Sequence, residues 1–233
     1  MDIKKNIPDN LKKLIRRTLR PRLFYFISKS TKPISKCYGF DRGKPVDRYY
    51  IENFLQENKE DISGICLELL NNDYTLKYGG DRVSKSDVLD IDKNNKSATI
   101  IGDLKNLKSI PDGVYDCIIL TQVLQFIDDL DAAISECYRI LKQSGTILVT
   151  LPTISRIDGI SGVSGDYWRF TKASAKYLFE KKFDKSKIEI KDYGNVRSGI
   201  YFHAGLSQEE TSKKILEGQD PNFPIIISVR ATK

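Results

Sequence analysis

The sequence has no closely spaced cysteine pair and no long apolar run. None of its four cysteines forms a C-x-x-C pair, and at least three lie inside apolar runs that predict strands or helices. Such cysteines pack as small hydrophobic side chains, so this pattern argues against a disulfide framework and favours a reducing, cytoplasmic location. The longest apolar clusters, 23–27 and 117–120, fall far short of the roughly 20 residues that a membrane-spanning helix requires.

Signatures of several other enzyme classes are also missing. The sequence contains no P-loop, no G-x-S-x-G nucleophile elbow and no G-x-G-x-x-G dinucleotide loop, which argues against the enzymes built on those loops. Residues 90–101 start like a calcium-binding loop, but Asn95 replaces the turn glycine and Ile101 replaces the last acidic ligand. The acidic stretch 128–131 directly precedes a predicted helix, where acids usually act as caps. We therefore expect no metal site.

Positive charge is concentrated in the N-terminal segment. The formal net charge is +7, yet residues 1–36 hold 11 of the Lys and Arg residues and only two acids, so the other 197 residues are nearly neutral. A phosphate-binding face is expected to run through a folded domain rather than stop before it. Nucleic acid is therefore not an expected partner. We predict a basic segment over 1–36 and one folded domain over 37–233.

The basic segment also has the pattern of an amphipathic helix. Leu11, Leu14, Ile15 and Leu19 fall on one face, and most of the Lys and Arg side chains lie around the other. Such a helix suits peripheral contact with an anionic inner membrane surface. It equally suits packing on its own domain or on a partner protein, and these alternatives stay open.

Apolar runs alternate with helical patterns from residue 47 onward. Near-continuous apolar runs such as 115–121 are typical of strands that are covered on both faces. Apolar residues at three- and four-residue steps, as in 130–142, indicate a helix. The alternation predicts an α/β fold: a single doubly wound, mostly parallel seven-stranded sheet with a helical N-terminal extension. The predicted strands are 62–70, 82–89, 98–101, 115–121, 146–151, 188–193 and 224–229, and the helices of the domain include 47–57, 130–142 and 171–183.

Polar residues follow the first four predicted strands. They are Glu68 at the first strand, Asp87 or Asp90 at the second, Asp103 at the third, and Thr121 with Gln122 at the fourth. Open parallel sheets bind ligands beyond the carboxyl ends of their strands. An acid about 20 residues after the first-strand acid suits the two ribose hydroxyls of a nucleoside cofactor. Solvated strand-end acids without a ligand are the alternative.

The stretch 115–152 resembles a known enzyme family. It contains Y-D-C-I, V-L-Q, R-I-L-K-Q-S-G and T-L-P in that order. In class I S-adenosylmethionine-dependent methyltransferases, F-D-x-V, V-L-x-H, R-x-L-K-P-G-G and T-x-P recur along the fourth strand, the following helix and the fifth strand. With the preceding strands, the resemblance covers about residues 60–155. It implies S-adenosylmethionine as the cofactor, and the implied cofactor-binding residues are Glu68, Tyr74, Thr75, Asp87, Asp103, Leu104, Thr121 and Gln122.

Two further stretches, 39–52 and 165–171, resemble a type-11-like methyltransferase subgroup that is often found alongside glycosyltransferases in surface-glycan assembly. The resemblance implies O-methylation of a sugar hydroxyl on a surface polysaccharide or lipid-linked glycan, with a glycosyltransferase as a partner. The implied substrate-binding residues are Arg42, Asp47, Arg48, Tyr167, Trp168 and Arg169. In the alternative, Trp168 and Phe170 fill the core and the arginines pair with Asp41 and Asp47.

The sequence departs from the family pattern at two places. The broad family has D/E-x-G-x-G-x-G after the first strand, whereas residues 68–75 are E-L-L-N-N-D-Y-T and the next glycine is Gly79. In the subgroup form, Glu68 keeps its contact with the amino end of the cofactor. Gln125 stands where many relatives have histidine, so this position cannot supply a base. A scaffold with the methyltransferase fold but no catalysis is therefore the alternative function.

Two residues are candidates for the general base that activates a sugar hydroxyl. His203 is the only histidine, and its titration range suits a base. Asp166 ends the loop after the fifth strand, at the expected substrate entrance. A histidine packed on a helix, and an aspartate paired with Arg169, are the respective alternatives.

Overall fold

The computed structural model describes residues 8–18, 29–158 and 165–233. These residues form two compact units. The helical unit comprises the described part of Met1–Tyr50 with Gly194–Ile225, and the sheet unit comprises the described part of Ile51–Tyr193 with Ile226–Lys233. The boundary at residue 36 stays a prediction. Leu19 and the apolar cluster 23–27 lie outside the described residues.

The sheet unit contains one seven-stranded sheet. Its strands are β1 (Gly64–Leu69), β2 (Val83–Asp90), β3 (Ile100–Ile101), β4 (Tyr115–Thr121), β5 (Leu141–Pro152), β6 (Ile188–Tyr193) and β7 (Ile226–Thr232). They lie in the order β3-β2-β1-β4-β5-β7-β6. All pairs from β3 to β5 are parallel, and β7 runs antiparallel to both of its neighbours. The predicted α/β fold with a mostly parallel seven-stranded sheet is confirmed.

Apolar strands place the core of the sheet unit on both faces of the sheet. Cys66 and Leu67 of β1, and Ile118 and Ile119 of β4, are fully buried. Neighbouring residues of a strand point to opposite faces, so burial of both requires cover on each side. The near-continuous apolar runs of the sequence therefore reflect strands with no solvated face.

Six helices accompany these strands in the described residues. They are α1 (Asp9–Thr18), α2 (Val46–Glu57), α3 (Leu130–Ile140), α4 (Lys172–Phe179), α5 (Val196–Ala204) and α6 (Lys213–Glu217). No described helix combines the length and the apolar composition needed to cross a membrane. The predicted helix in the basic segment is present as α1, in which Leu11 and Leu14 are about half exposed. Its contact with a membrane surface stays a prediction.

Helix α3 begins at a local cap and ends where strand pairing starts. The side chain of Asp129 caps its N-terminus by accepting a hydrogen bond from the Ala132 backbone N–H at 2.9 Å. The prediction that the helix continues to residue 142 is wrong. Leu141 already pairs with Tyr115 at the start of β5, so strand pairing ends the helix at Ile140. Similarly, α4 ends at Phe179 rather than at residue 183.

The order of the strands creates a switch point at the centre of the sheet. After β1 the chain adds β2 and β3 on one side, then returns to add β4 and β5 on the other side. The neighbours β1 and β4 are parallel. The edge formed by their carboxyl ends is a topological switch point, which is where open α/β sheets bind ligands.

Candidate active site

The carboxyl edge of the parallel strands gathers most of the predicted cofactor-binding residues. Glu68 is the second-to-last residue of β1, Thr121 is the last residue of β4, and Gln122 follows it. Asp103 lies two residues after β3. Because these strands are parallel, their ends meet at one edge of the sheet. The alternation of strands and helices along the chain therefore places these polar groups around the switch point.

Two residues at the switch point have unusual backbone conformations. Leu70 follows β1 with φ of 70°, and Gln122 follows β4 with φ of 57°. Positive φ costs a residue with a side chain roughly 1–2 kcal/mol, and such strain clusters at functional sites. Leu70 occupies the position of the first glycine in the family pattern D/E-x-G. The backbone of Leu70 thus has a conformation that glycine adopts readily, although the residue at this position is leucine.

We expect the Leu70→Gly variant to be more stable than the wild-type protein. The side chain of Leu70 is 58% exposed, so its removal exposes little core, while glycine relieves the strain at positive φ. The free energy of unfolding should rise by about 0.5–1 kcal/mol in urea denaturation. Leu76 is the matched control, since it is equally exposed but lies in a helical turn without positive φ. Leu76→Gly should destabilise the protein, and a loss in both variants would contradict strain at Leu70.

The carboxylate of Glu68 holds the loop that follows β1. Its Oε2 accepts hydrogen bonds from the backbone N–H and the hydroxyl of Thr75, each at 2.8 Å. Its Oε1 accepts one long bond of 3.4 Å from the Tyr74 backbone N–H. Burial raises the pKa of Glu68 to about 7, although these hydrogen bonds oppose the rise. Oε1 is therefore the oxygen with more capacity to bind a ligand.

Of the two acids that suit the ribose hydroxyls, Asp90 and not Asp87 lies at the sheet edge. Asp87 lies inside β2, three residues before its end, and accepts hydrogen bonds from the Tyr115 hydroxyl at 3.1 Å and Lys85 Nζ at 2.8 Å. Asp90 is the last residue of β2 and is 7% exposed. Asp87 therefore lies inside β2 rather than after it, and its role in cofactor binding stays a prediction. Both acids lie about 20 residues after Glu68, so the spacing alone does not distinguish them. The position of the end of β2 does.

Asp90 is also connected to the strained turn after β1. The side-chain amide of Asn95 donates to Asp90 Oδ2 at 2.6 Å and to the Leu70 carbonyl at 2.7 Å. Asp90 Oδ1 accepts from the Asp92 backbone N–H. These bonds fix the positions of the Asp90 carboxylate and the Leu70 carbonyl, which border the predicted ribose site.

The remaining cofactor-binding candidates have distinct surroundings. Leu104 is buried in the core cluster at 4% exposed, whereas the side chain of Asp103 is 40% exposed. Asp103 accepts a hydrogen bond from the Lys105 backbone N–H. The backbone N–H of Gln122 donates to the Thr150 carbonyl at 3.0 Å, which connects the turn after β4 to β5.

An exposed aromatic pair lies beside the turn after β4. The backbone N–H groups of Tyr167 and Trp168 both donate to the Gln125 carbonyl, at 2.8 and 3.3 Å. The indole N–H of Trp168 donates to the Ile127 carbonyl at 2.7 Å. Nevertheless, Tyr167 is 51% exposed and Trp168 is 41% exposed. Trp168 is therefore not a core residue, while Phe170, at 4% exposed, is one.

Asp166 and Arg169 form an ion pair that holds this aromatic segment. Arg169 Nη1 and Nη2 each donate to one oxygen of Asp166, at 2.5 and 2.9 Å. Arg169 also donates to the Arg156 carbonyl, and Asp166 accepts from the Asp158 backbone N–H. The hydrogen bonds from Arg169 lower the pKa of Asp166 below its ordinary value. A carboxylate of this kind is a weak base, so the geometry favours the paired role that the sequence left open.

The remaining substrate and base candidates belong to the helical unit. Arg42 donates two hydrogen bonds to Glu210, and both side chains are buried. Arg48 pairs with Asp47 at 3.3 Å. Burial raises the pKa of Asp47 despite that neighbour, and Asp47 Oδ1 has no hydrogen-bond partner among the described residues. His203 is exposed in the last turn of α5.

The alternative in which the arginines pair with Asp41 and Asp47 is met in part: Arg48 pairs with Asp47, whereas Arg42 pairs with Glu210. Asp41 instead accepts a hydrogen bond from the Ser35 hydroxyl. Substrate roles for Arg42, Asp47, Arg48 and Arg169 stay predictions, as do the roles of His203 and Asp166 as bases.

Sequence reasoning missed two features of the site. It did not predict the strain at Leu70 and Gln122, because residue type gives no signal for positive φ when glycine is absent. It named Gln125 only as a lost base and did not foresee that its backbone carbonyl anchors the aromatic pair.

Among the described residues, no group of three or more His, Cys, Asp or Glu side chains is arranged to hold a metal ion.

Comparison with known proteins identifies the domain around this edge. Residues 63–149 match the family model of a methyltransferase domain. A SAM dependent methyltransferase from Archaeoglobus fulgidus is 16% identical, with 80% of this chain and 94% of that chain covered and a TM-score of 0.55. A candidate sarcosine dimethylglycine methyltransferase from Galdieria sulphuraria is 15% identical, with 90% and 97% covered and a TM-score of 0.55. At such identities, the structures show a shared fold.

One curated protein also matches part of the chain. "Probable polyketide synthase 42" of Dictyostelium discoideum is 31% identical over 118 residues, which is 50% of this chain. The chain spans only 4% of the length of that protein. The cyclase SpnF has the same fold as well, at 15% identity and a TM-score of 0.52, with 80% of this chain and 81% of that chain covered. Residues 63–149 of the sheet unit therefore match a methyltransferase domain, and the unit has the fold of S-adenosylmethionine-dependent methyltransferases.

Proposed function

We propose that this protein transfers a methyl group from S-adenosylmethionine to a sugar hydroxyl of a surface polysaccharide or lipid-linked glycan. The single observation that carries the sugar assignment is the exposed pair Tyr167 and Trp168, which is anchored next to the turn after β4. The resemblance of residues 39–52 and 165–171 to methyltransferases of surface-glycan assembly supports the same substrate class. The domain family supports the methyl donor.

The residues at the sheet edge fit this cofactor. Asp90 is a buried acid at the end of β2, where both ribose hydroxyls would find an acceptor. Leu70 keeps the backbone turn that glycine supplies in the broad family, and Glu68 Oε1 has capacity for the amino end of the ligand. The absence of glycines in this loop therefore does not remove the turn itself.

The chemistry makes modest demands on the side chains. When bound, S-adenosylmethionine supplies a methyl group on a sulfonium whose sulfur leaves neutral. No acid is therefore needed at the sulfur, and the protein must chiefly hold the acceptor hydroxyl in line, an effect that contributes up to about 7–11 kcal/mol in favourable cases. A base would add about 10²–10⁴-fold. Of the two candidates, Asp166 is the weaker because Arg169 holds its pKa low.

The aromatic pair suits a sugar because its backbone is fixed while its rings are exposed. Three hydrogen bonds hold the segment to residues 125 and 127, so little conformational entropy is lost when a ligand packs on the rings. Aromatic rings with polar handles bind ligands that are partly apolar and partly polar. The C–H face of a sugar ring with its surrounding hydroxyls is such a ligand.

Methyl transfer to simple glycosides tests this proposal. Tritium-labelled S-adenosylmethionine and a panel of nitrophenyl glycosides are incubated with the full chain, and label on the glycosides is measured. We expect label on at least one glycoside and none on its deoxy analogue. The Trp168→Ala variant should lower kcat/KM about tenfold or more without changing affinity for S-adenosylhomocysteine. Tyr177→Ala, which removes a 70% exposed ring on α4, is the control and should change neither.

Two results separate the alternatives. A chain that binds S-adenosylmethionine but labels no glycoside would contradict the sugar acceptor. A chain that neither binds the cofactor nor transfers label would support the scaffold function. A glycosyltransferase partner, a cytoplasmic location and peripheral membrane contact through residues 1–36 belong to the same proposal.

A further inference from the structure

Gln125 contains a buried acceptor that the fold itself does not use. It lies in the short helical turn Leu124–Phe126 after β4 and is 6% exposed. Its side-chain Nε2 donates to the Gln122 carbonyl at 2.9 Å. A carbonyl only accepts hydrogen bonds, so this contact fixes which end of the amide is the donor. The other end, Oε1, is buried and has no hydrogen-bond partner among the described residues.

A buried acceptor without a partner is unusual in a folded protein. The large majority of buried side-chain polar atoms are paired, and the exceptions call for a physical reason. An amide acceptor that loses its hydration on folding needs a donor in return, which a ligand or an ordered water can supply. The orphaned Oε1 therefore indicates a position where a donor is expected.

The surroundings of Gln125 indicate the origin of that donor. On one side, its amide contacts Gln122, the strained residue at the switch point. On the other side, its backbone carbonyl holds Tyr167 and Trp168. One residue thus joins the edge that suits the cofactor to the aromatic pair that suits the sugar.

We propose that Gln125 Oε1 accepts a hydrogen bond from a hydroxyl of the acceptor sugar and so positions that sugar for methyl transfer. This inference rests on the proposed function. An amide is neutral across the working pH range, so Gln125 orients the hydroxyl without taking its proton. A site that hydrogen-bonds a hydroxyl strongly rejects the analogue that lacks it, because the buried acceptor is then left unpaired. Gln125 is accordingly a positioning and specificity residue.

The test replaces Gln125 with methionine, which has a similar length but no amide, and with glutamate, which keeps an acceptor oxygen. Three quantities are measured on the full chain: the melting temperature without ligand, the affinity for S-adenosylhomocysteine, and kcat/KM for the labelled glycosides. Gln143→Met is the matched control because Gln143 is exposed. The same substitution there removes an amide that is not buried.

For Gln125→Met we expect kcat/KM to fall about tenfold or more, while S-adenosylhomocysteine binds as before. Its melting temperature should stay within about 2 °C of wild type, because removal of the orphaned acceptor offsets the loss of the hydrogen bond to the Gln122 carbonyl. Gln125→Glu should retain more transfer than Gln125→Met, and Gln143→Met should match the wild type throughout.

Three results would overturn this role of Gln125. A fall in melting temperature of more than about 5 °C in Gln125→Met would show that the amide belongs to a structural network. Unchanged transfer in that variant would remove Gln125 from sugar binding while leaving the proposed function intact. A wild-type chain that binds S-adenosylhomocysteine but methylates no glycoside would overturn the proposed function and this inference with it.

Discussion

The Arg42→Ala variant is expected to lose about 3–5 kcal/mol of unfolding free energy. Arg42 donates from Nε and Nη2 to the two oxygens of Glu210, at 2.9 and 2.5 Å, and the two side chains are 6% and 3% exposed. Burial of Glu210 opposes its ionisation, yet the hydrogen bonds from Arg42 hold its pKa below the ordinary value. Without Arg42, the buried carboxylate of Glu210 loses the two charge-assisted hydrogen bonds that offset its burial. Urea denaturation followed by circular dichroism measures the loss.

Two variants show whether the buried pair causes the loss. Arg42→Met combined with Glu210→Gln removes both charges and keeps an acceptor for the Ser207 backbone N–H, which donates to Glu210 at 3.1 Å. This double variant should recover most of the stability. Lys213→Ala removes an exposed pair with Glu217 and should cost less than about 0.5 kcal/mol. A loss below about 1 kcal/mol in Arg42→Ala would contradict the structural role and favour a substrate role for Arg42.

The stability advantage of Glu68→Gln over the wild type is expected to grow by about 3 kcal/mol between pH 4.5 and pH 8. The pKa of Glu68 rises from 4.5 to about 7 in the folded chain because the carboxyl group is buried. Between these values the folded state binds the proton that the unfolded state has released. The contribution of Glu68 to stability is therefore fully present below pH 4.5 and is lost as the pH rises through about 7. Glutamine does not titrate.

The comparison requires urea denaturation of both proteins at several pH values from 4.5 to 8. All other titrating groups are the same in the two chains, so the difference isolates residue 68. Glu60→Gln is the control, because that side chain is 75% exposed, and its difference from wild type should stay small at every pH. Parallel stability curves for Glu68→Gln and wild type would contradict a raised pKa at Glu68.

The central strands could be predicted from the sequence because both of their faces are buried, and the edge strand β6 because apolar and polar residues alternate along it. Tyr115–Thr121 and Ile188–Tyr193 have the predicted bounds. Helix ends were less accurate because they depend on contacts distant in sequence. The pairing of Leu141 with Tyr115 ends α3, and no local pattern near residue 141 signals that pairing.

The site could be predicted only to the level of the sheet edge. The order of strands and helices predicts that acids lie at the strand ends. The choice between Asp87 and Asp90, however, depends on which residue is the last of β2. The pairing of Arg42 with Glu210 joins residues 168 positions apart, and sequence spacing gives no access to it. The positive φ of Leu70 could not be predicted, because the glycine that usually indicates such a conformation is absent.

Binding of the methyl donor is the most direct test of the account. Calorimetric titration of the full chain with S-adenosylmethionine and with S-adenosylhomocysteine gives both affinities. Asp90→Ala and Asp87→Ala serve as a matched pair, because only Asp90 lies at the end of β2. We predict saturable one-to-one binding of both ligands to the wild type, at least tenfold weaker in Asp90→Ala. No binding at millimolar ligand would contradict the proposed transfer of a methyl group from S-adenosylmethionine.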